Sequence, residues 1–272
     1  MSEFKVLRYA DEPLEDPIAV VGFPNVGLVG WIVSSYLART LGLHVAAAVD
    51  STELPPYAFV QEGRCYPPVR IYAGQLPRKR RKPAKKAADG TEGSASEAPA
   101  AAAVKKRASR KKRDIVIVTS EIAPRPEHTG CICDSILEAL DSLGVEEIVC
   151  VDGIPRISPD QTELLGLGST DSARKRMEDS GLKLMKDGIV RGVSGVMLFK
   201  GEQQGREVEC VLSPANPQLP DPRAASWLLG PLSTLIPGLN VDPSPLTNEA
   251  NEIDGRIKAQ MQQQTINHSI YG

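Results

Sequence analysis

Short apolar runs and apolar positions at helical spacing alternate along the chain. Ile18 to Phe23 is a continuous apolar run typical of a buried strand, and Asn25 to Leu41 then carries apolar side chains at helical spacing. Ile132 to Leu143 has the same helical pattern and precedes Gly144, which suits a left-handed C-terminal cap. This alternation predicts an α/β fold.

Other apolar runs predict further elements. Strands are expected at Val45–Val49, Tyr57–Val60, Val69–Tyr72, Ile115–Ser120 and Ile148–Val151. Val193 to Phe199 and Val208 to Leu212 are separated by the turn-like KGEQQG, which favours an antiparallel hairpin. Two late helices are predicted, Pro222 to Leu235 and Pro245 to about Gln262. We therefore expect one domain over residues 1–262, a three-layer α/β/α sandwich around a mixed, mostly parallel sheet.

One polar segment interrupts this pattern. Residues 78–113 hold 14 of the 32 Lys and Arg residues but three of the 34 Asp and Glu residues, so the segment has a local charge of +11. The remainder of the chain therefore has a net charge of −13. Val104 is its only large aliphatic residue, so the segment buries too little apolar surface to offset its ordering entropy. We predict a disordered basic insert, Arg78 to Arg113, that forms a long loop between two strands.

The composition excludes several classes of protein. With 41% hydrophobic residues the 272-residue chain resembles a globular protein, and no segment approaches the roughly 20 apolar residues that cross a bilayer. The amino terminus lacks the charged-then-apolar order of a signal peptide. Five cysteines without regular spacing agree with a reducing compartment. We expect a cytoplasmic protein that does not bind membranes.

A glycine-rich loop follows the first apolar run, where phosphate-binding loops occur. Its glycines are Gly22, Gly27 and Gly30. A P-loop needs Lys and Ser or Thr where Leu28 and Val29 stand, and the dinucleotide fingerprint needs glycine where Pro24 stands. A tight turn with close helix-to-strand packing explains the glycines better than cofactor binding, for which they are weak candidates.

A possible metal cluster is the HxxCxC pattern of His128, Cys131 and Cys133. Zinc sites usually pair cysteines as CxxC and draw further ligands from a second cluster, and no other cysteine of this chain has a neighbouring ligand. Ordinary thiols are the better interpretation, so we expect no metal.

Acid–base chemistry has few candidates. Asp152 follows a predicted strand, where parallel sheets place ligands, and Asp114 and Glu121 could line the same cleft. Acidic residues at strand ends are more often solvated or capping. None of the three histidines lies in a nucleophile motif. We assign no catalytic residue and no cofactor, and expect that the protein is not an enzyme.

The carboxyl end combines an apolar stripe with a polar tail. The stripe has helical spacing and consists of Leu246, Ala250, Ile253, Ile257 and Met261. Residues 263–272 are predicted to be a flexible tail, which ends with Ile270, Tyr271 and Gly272. Apolar anchors normally pack inside a protein, so two of them on such a tail indicate a partner-binding motif.

Several blocks together resemble the proteasome assembly chaperone family, in particular its archaeal homologues. The resemblance spans roughly Pro17 to Leu76 and Asp114 to Gln262. Its blocks are VVGFPNVGLVGWIVSSYLARTLG, DSTELPPYAFVQEG, PPVRIY, IVIVTSE, GVEEIVCVDGIP, GVSGVMLF and DPRAASWLLGPLSTLIPGLNVDPSPL. The basic insert departs from what we expect of the family.

This resemblance implies a fold, a partner and a mechanism. It implies a fold similar to that of nucleoside phosphorylases without their catalysis, and a homo-oligomer. It also implies that the hydrophobic-Tyr-any residue ending, matched by Ile270, Tyr271 and Gly272, docks on the outer alpha ring of the proteasome core particle. The expected function is an ATP-independent chaperone or activator that aids assembly or opens the gate.

Two other hypotheses remain open. A nucleotide- or phosphate-binding enzyme, phosphorylase-like or ATP-grasp-like, would use the glycine-rich loop. A nucleic-acid-associated protein would use Arg78 to Arg113, whose Lys and Arg bind phosphates through counterion release. The insert has no aromatic residue for base stacking, so such binding would be nonspecific.

Overall fold

A mixed β-sheet between two layers of helices forms the protein. The computed structural model describes residues 4–10, 13–76, 113–158 and 160–256. The strands are β1 (Lys5–Arg8), β2 (Ile18–Gly22), β3 (His44–Asp50), β4 (Phe59–Gln61), β5 (Arg64–Tyr66), β6 (Val69–Gly74), β7 (Ile115–Thr119), β8 (Glu147–Pro155), β9 (Leu165–Gly168), β10 (Lys183–Leu184) and β11 (Val208–Ala215). The helices are α1 (Val29–Thr40), α2 (Pro126–Ser142), α3 (Asp171–Asp179), α4 (Gly192–Gln204), α5 (Pro222–Leu235) and α6 (residues 244–256).

The nine strands of the main sheet run in the order β1-β3-β6-β7-β2-β8-β11-β9-β10. The central strands β7, β2, β8 and β11 are parallel to one another, and the antiparallel pairs lie towards both edges. Helices cover both faces of the sheet, as parallel central strands require because they are buried on both sides. The predicted α/β fold with helices on both sides of a mixed sheet is confirmed.

Alternate residues of each central strand face different helical layers. Ile18 and Val20 of β2 pack in the layer of α1, α3, α5 and α6, whereas Ala19 and Val21 pack in the layer of α2 and α4. The near-continuous apolar sequence of β2 is therefore needed for burial on both faces.

Among the described residues, no helix is both long enough and apolar enough to cross a bilayer.

The predicted hairpin of Val193–Phe199 and Val208–Leu212 is wrong in its first half. Val193 to Phe199 lies inside helix α4, which Gly205 caps in the left-handed conformation (φ 66°). A short apolar run fits a buried strand or a buried helix equally well, so its length alone cannot decide. Strand β11 instead pairs with β8 in parallel and with β9 antiparallel.

The predicted strand Tyr57–Val60 does not join the main sheet. Its residues overlap β4, which pairs with β5 in a separate two-stranded hairpin beside the sheet. The turn of this hairpin uses positive φ at Glu62 (50°) and Gly63 (75°). Other predicted features are confirmed, among them the cap of α2 at Gly144, whose φ is 73°.

The predicted insert connects two neighbouring antiparallel strands. Gly74 of β6 lies opposite Ile115 of β7, so the long connection begins and ends at the same edge of the sheet. Most of the insert, residues 78–112, lies outside the described residues. Its last residue, Arg113, belongs instead to the folded body, because it is buried and ion-paired.

Arg113 belongs to a charged network at the start of the parallel strands. It donates to Glu147 Oε2 at 2.5 Å, and Arg176 of α3 pairs with Glu147 and Glu207. Arg176 Nε also donates to Glu209 Oε1 at 2.5 Å. Glu209 is 1% exposed, and its burial raises its pKa to about 7 although Arg176 opposes this shift. The buried carboxyl therefore links stability to pH.

Replacement of Glu209 should change the pH dependence of stability. The pKa of Glu209 rises on folding from 4.5 to about 7, so its contribution is most favourable below pH 4.5 and is lost as the pH rises through 7. When the pH is lowered from 8 to 5.5, the free energy of unfolding of the wild type should rise by on the order of 1–2 kcal/mol more than that of Glu209→Gln. Urea denaturation at both pH values measures this difference. The exposed control Glu138→Gln should behave as wild type, and equal pH dependence of all three proteins would contradict the assignment.

Candidate functional site

The glycine-rich loop leads from β2 into α1 at the carboxyl edge of the parallel strands. A short 3₁₀ turn, Val26–Leu28, precedes the helix, with positive φ at Gly27 (62°) and Leu28 (52°). The predicted helix from Asn25 therefore begins as an α-helix only at Val29. The two left-handed residues redirect the chain so that the first turn of α1 lies directly against the sheet.

Close backbone packing occupies the space around the glycines of this loop. A Cβ atom on Gly22 would overlap the carbonyl oxygen of Gly30, and one on Gly30 would lie 2.5 Å from the carbonyl oxygen of Val151. A Cβ on Gly27 would lie 2.8 Å from the Cβ of Ala215. Packing of the chain against itself thus accounts for all three glycines. Their positions supply no separate argument for a phosphate.

Asp152, in the second half of β8, fixes this loop to the sheet. Its side chain accepts a hydrogen bond from Asn25 Nδ2 at 3.1 Å and one from its neighbour Gly153 N at 2.8 Å. Asp152 is 4% exposed, and burial raises its pKa to about 6 even though these hydrogen bonds favour the charged form. A cavity of about 190 Å³ adjoins the carboxyl group, between this loop and Ile189–Arg191 before α4.

The three candidate acidic residues do not share a cleft. Asp114 lies at the start of β7, at the opposite edge of the sheet from Asp152, and accepts from the backbone N–H of Glu15 at 2.7 Å. Glu121 follows the other end of β7 and pairs with Arg70 of the neighbouring strand β6. The three residues therefore do not form the common cleft that was one possibility, because Asp114 lies at the other end of the parallel strands from Glu121 and Asp152.

The HxxCxC residues of α2 point in different directions. Cys133 is buried, and burial raises its pKa to about 12, whereas Cys131 is exposed. His128 Nε2 lies 3.3 Å from Glu53 Oε2. In the described part of the chain, no three metal-binding side chains converge. Helical geometry explains why Cys131 and Cys133 diverge, since residues two apart lie on different faces.

Sequence reasoning missed two residues that the fold brings to the carboxyl edge of the parallel strands. Asn25 bonds Asp152 across 127 positions of sequence, a pairing that no local pattern indicates. Arg70 is a charged residue inside the otherwise apolar strand VRIYAG, which was a visible signal of a buried polar group. The predicted partner-binding residues Ile270, Tyr271 and Gly272 lie outside the described residues.

The packing of Gly30 can be tested against a glycine with free space around it. Gly30→Ala should lower the free energy of unfolding by about 2 kcal/mol or more, because the methyl group would meet the carbonyl oxygens of Val151 and Phe23. A methyl group on Gly130 of α2 would have no neighbouring atom within 4 Å, so Gly130→Ala should be neutral or stabilise by up to about 1 kcal/mol. Chemical denaturation measures both. Equal stabilities of the two variants would contradict the packing argument.

Comparison with known proteins places this fold in a family. The model of the PAC2 family matches residues 19–261. An uncharacterized protein of Methanocaldococcus jannaschii is 22% identical over 258 residues, which cover 95% of this chain and 91% of that protein.

Solved structures agree with this match. Pyrococcus furiosus PbaA, described as an archaeal homologue of proteasome-assembly chaperone, has 26% identity and a TM-score of 0.74, with 97% of this chain and 94% of PbaA covered. Pyrococcus furiosus PbaB, described as an archaeal proteasome activator, has a TM-score of 0.73 at 18% identity, with 96% and 100% covered. The PAC2 model spans nearly the whole sheet and its helices, and the chain belongs to the PAC2 family.

Proposed function

We propose that the protein is an ATP-independent, proteasome-associated chaperone or activator. The observation that carries this proposal is the similarity to PbaA, 26% identical over nearly the whole of both chains. The fold of PbaB, a proteasome activator, is a second and weaker support. In this proposal the residues Ile270, Tyr271 and Gly272 dock in pockets of the outer alpha ring of the core particle. They either aid assembly or open the gate.

The attachment of α6 supports this proposal geometrically. Leu246 and Ala250 are buried against the body, and Arg223 of α5 donates to Asn251 at 2.8 Å and to Asp254 at 2.9 Å. The first part of the predicted apolar stripe therefore anchors the helix; its last two residues, Ile257 and Met261, lie outside the described residues.

The end of the chain is long enough to reach a partner. Sixteen residues follow residue 256, and fully extended they would span at most about 50 Å. The body could thus stay on the outside of a ring while the last residues enter a pocket.

The chemistry of the last three residues suits a pocket between subunits. The side chains of Ile270 and Tyr271 offer apolar surface, and the terminal carboxylate of Gly272 would pair with a lysine. Binding that favours the open position of a gating segment shifts that equilibrium by its differential affinity. Each tail binds weakly by itself, so several tails on one homo-oligomer would raise the effective concentration and the overall affinity.

The glycine-rich loop favours a mechanism without nucleotide. Backbone atoms of this chain already fill the space next to Gly22 and Gly30. Packing therefore explains these glycines without a phosphate. Nucleic-acid binding through the basic insert stays a prediction, because residues 77–112 lie outside the described residues.

Substitution of Tyr271 should abolish the effect on the core particle. Tyr271→Ala removes the aromatic ring, and we expect at least tenfold weaker stimulation of peptide hydrolysis or tenfold weaker binding to the core particle. A single glycine added after Gly272 should have a similar effect, because it moves the terminal carboxylate. Hydrolysis of a fluorogenic peptide and a pull-down measure the two effects.

His268→Ala is the matched control, since it changes the same segment and keeps the last three residues. It should bind and stimulate as wild type does. Undiminished binding and stimulation by Tyr271→Ala would overturn the tail mechanism. Binding to free alpha subunits but not to the finished particle would assign the protein to assembly, and the reverse would assign it to activation.

A further inference from the structure

Helix α4 has an apolar face that points away from the sheet. Phe199 lies on this face and is 61% exposed. Among the exposed large apolar residues that the structure describes, it is the one that lies in a helix. Single exposed apolar residues are common at protein surfaces, so the surroundings of Phe199 decide whether it has a role.

Both sides of α4 are apolar. Val193, Met197 and Gly201 are buried and form its inner side. Val196 and Phe199, three residues apart, share the outer side, where Val196 is half-buried. A helix that is apolar around its whole circumference is usually covered around its whole circumference. The outer side of α4 therefore has the composition of a covered surface.

Ion pairs border the outer side of α4 on its two flanks. On one flank Lys200 donates to Asp134 of α2 at 2.6 Å, and on the other Arg174 of α3 lies 3.3 Å from Glu202. An apolar centre with a polar rim is the usual anatomy of a protein interface. The four charges around Phe199 balance, whereas the chain outside the basic insert has a net charge of −13. Two copies of an acidic body repel one another, so they meet most readily through a face of balanced charge.

We propose that the outer side of α4 is an interface between two copies of this chain. The inference rests on the proposed function, in which several tails act on one homo-oligomer, and it assigns one contact of that oligomer. A two-fold symmetric contact places the same surface of both copies together. The two α4 helices are antiparallel in it, which is the favourable arrangement of their dipoles.

The register of this helix pair follows from the shape of the outer side. When the two-fold axis passes between Val196 and Phe199, Phe199 of one copy lies opposite Val196 of the other. Gly192 is one turn before Val196, and a Cβ atom there would have no neighbour within 4 Å. The surface next to Val196 is therefore low enough to receive an aromatic ring. Each Phe199 ring enters such a recess of the facing helix.

The same register brings opposite charges together. Arg191, at the start of α4, is exposed and has no ion pair with another described residue. It is eleven positions from Glu202, about three full turns, so both lie on one side of the helix. In the antiparallel pair, Arg191 of one copy and Glu202 of the other are about 3 Å apart along the helix axis. This charge pair forms twice, once at each end of the interface.

Phe199→Glu tests the α4 interface, with the mass of the full-length protein in solution as the readout. Wild type should be an oligomer, and the variant should associate about tenfold more weakly or worse, because each interface would bury two unpaired carboxylates. Sedimentation velocity over a dilution series measures the association. Val60→Glu is the matched control, since Val60 is 69% exposed on β4, and it should associate as wild type does.

Reversal of the charges tests the antiparallel register. Arg191→Glu should weaken association several-fold, because it places two carboxylates next to each other. The double variant Arg191→Glu with Glu202→Lys restores an opposite-charge pair and should recover at least part of the lost affinity. A merely structural role of either residue would give no such recovery. Circular dichroism melting shows whether each variant is folded.

Two results would overturn the interface. One is a wild type that stays monomeric throughout the dilution series, which would leave the outer side of α4 to a different protein. The other is undiminished association of folded Phe199→Glu. The absence of recovery in the double variant would contradict the antiparallel register.

The tail variant separates this proposal from the proposed function. Tyr271→Ala leaves α4 unchanged and should associate as wild type does, although its action on the core particle is lost. The sedimentation measurement contains no core particle. Failure of the interface and failure of the tail mechanism therefore give different results.

Discussion

The contact between the first turn of α1 and the ends of β2 and β8 is the constraint on which the carboxyl edge depends. It is a backbone contact, possible because Gly22, Gly30 and Gly153 have no side chain: a Cβ on any of them would meet a carbonyl oxygen. The close approach brings Asn25 to the second half of β8, where it bonds the buried Asp152. Phosphate-binding loops usually occur at this position between strand and helix. In this protein the glycines there allow the helix to pack closely on the sheet.

Buried charges lie at both edges of the same sheet, in different surroundings. At the start of the parallel strands, Arg113 and Arg176 meet several carboxylates in a network that includes the buried Glu209. At the carboxyl edge, Arg70 and Glu121 form one pair with unpartnered atoms next to a cavity. The first arrangement has its charges largely compensated by the chain.

Much of the fold could be predicted from periodicity, and the failures have physical causes. The alternation that predicts β2 and α1 is strong, because both are long apolar patterns ended by glycine or polar residues. The run from Val193 to Phe199 was misassigned, since its burial at Val193 and Met197 reflects helical spacing within a stretch that is apolar nearly throughout. The family resemblance, based on several blocks together, is confirmed by the PAC2 match.

The sequence by itself determined most of the buried elements, the position of the basic residues along the chain and the family to which the chain belongs. The elements depend on residues that are close together along the chain, and the family resemblance depends on a combination of short sequence blocks. Only the tertiary structure decided that Asn25 meets Asp152, that Arg113 belongs to the body, and that Arg70 shares a cavity with Trp31. These contacts join positions far apart in sequence, and the packing of helices on the sheet sets their distances.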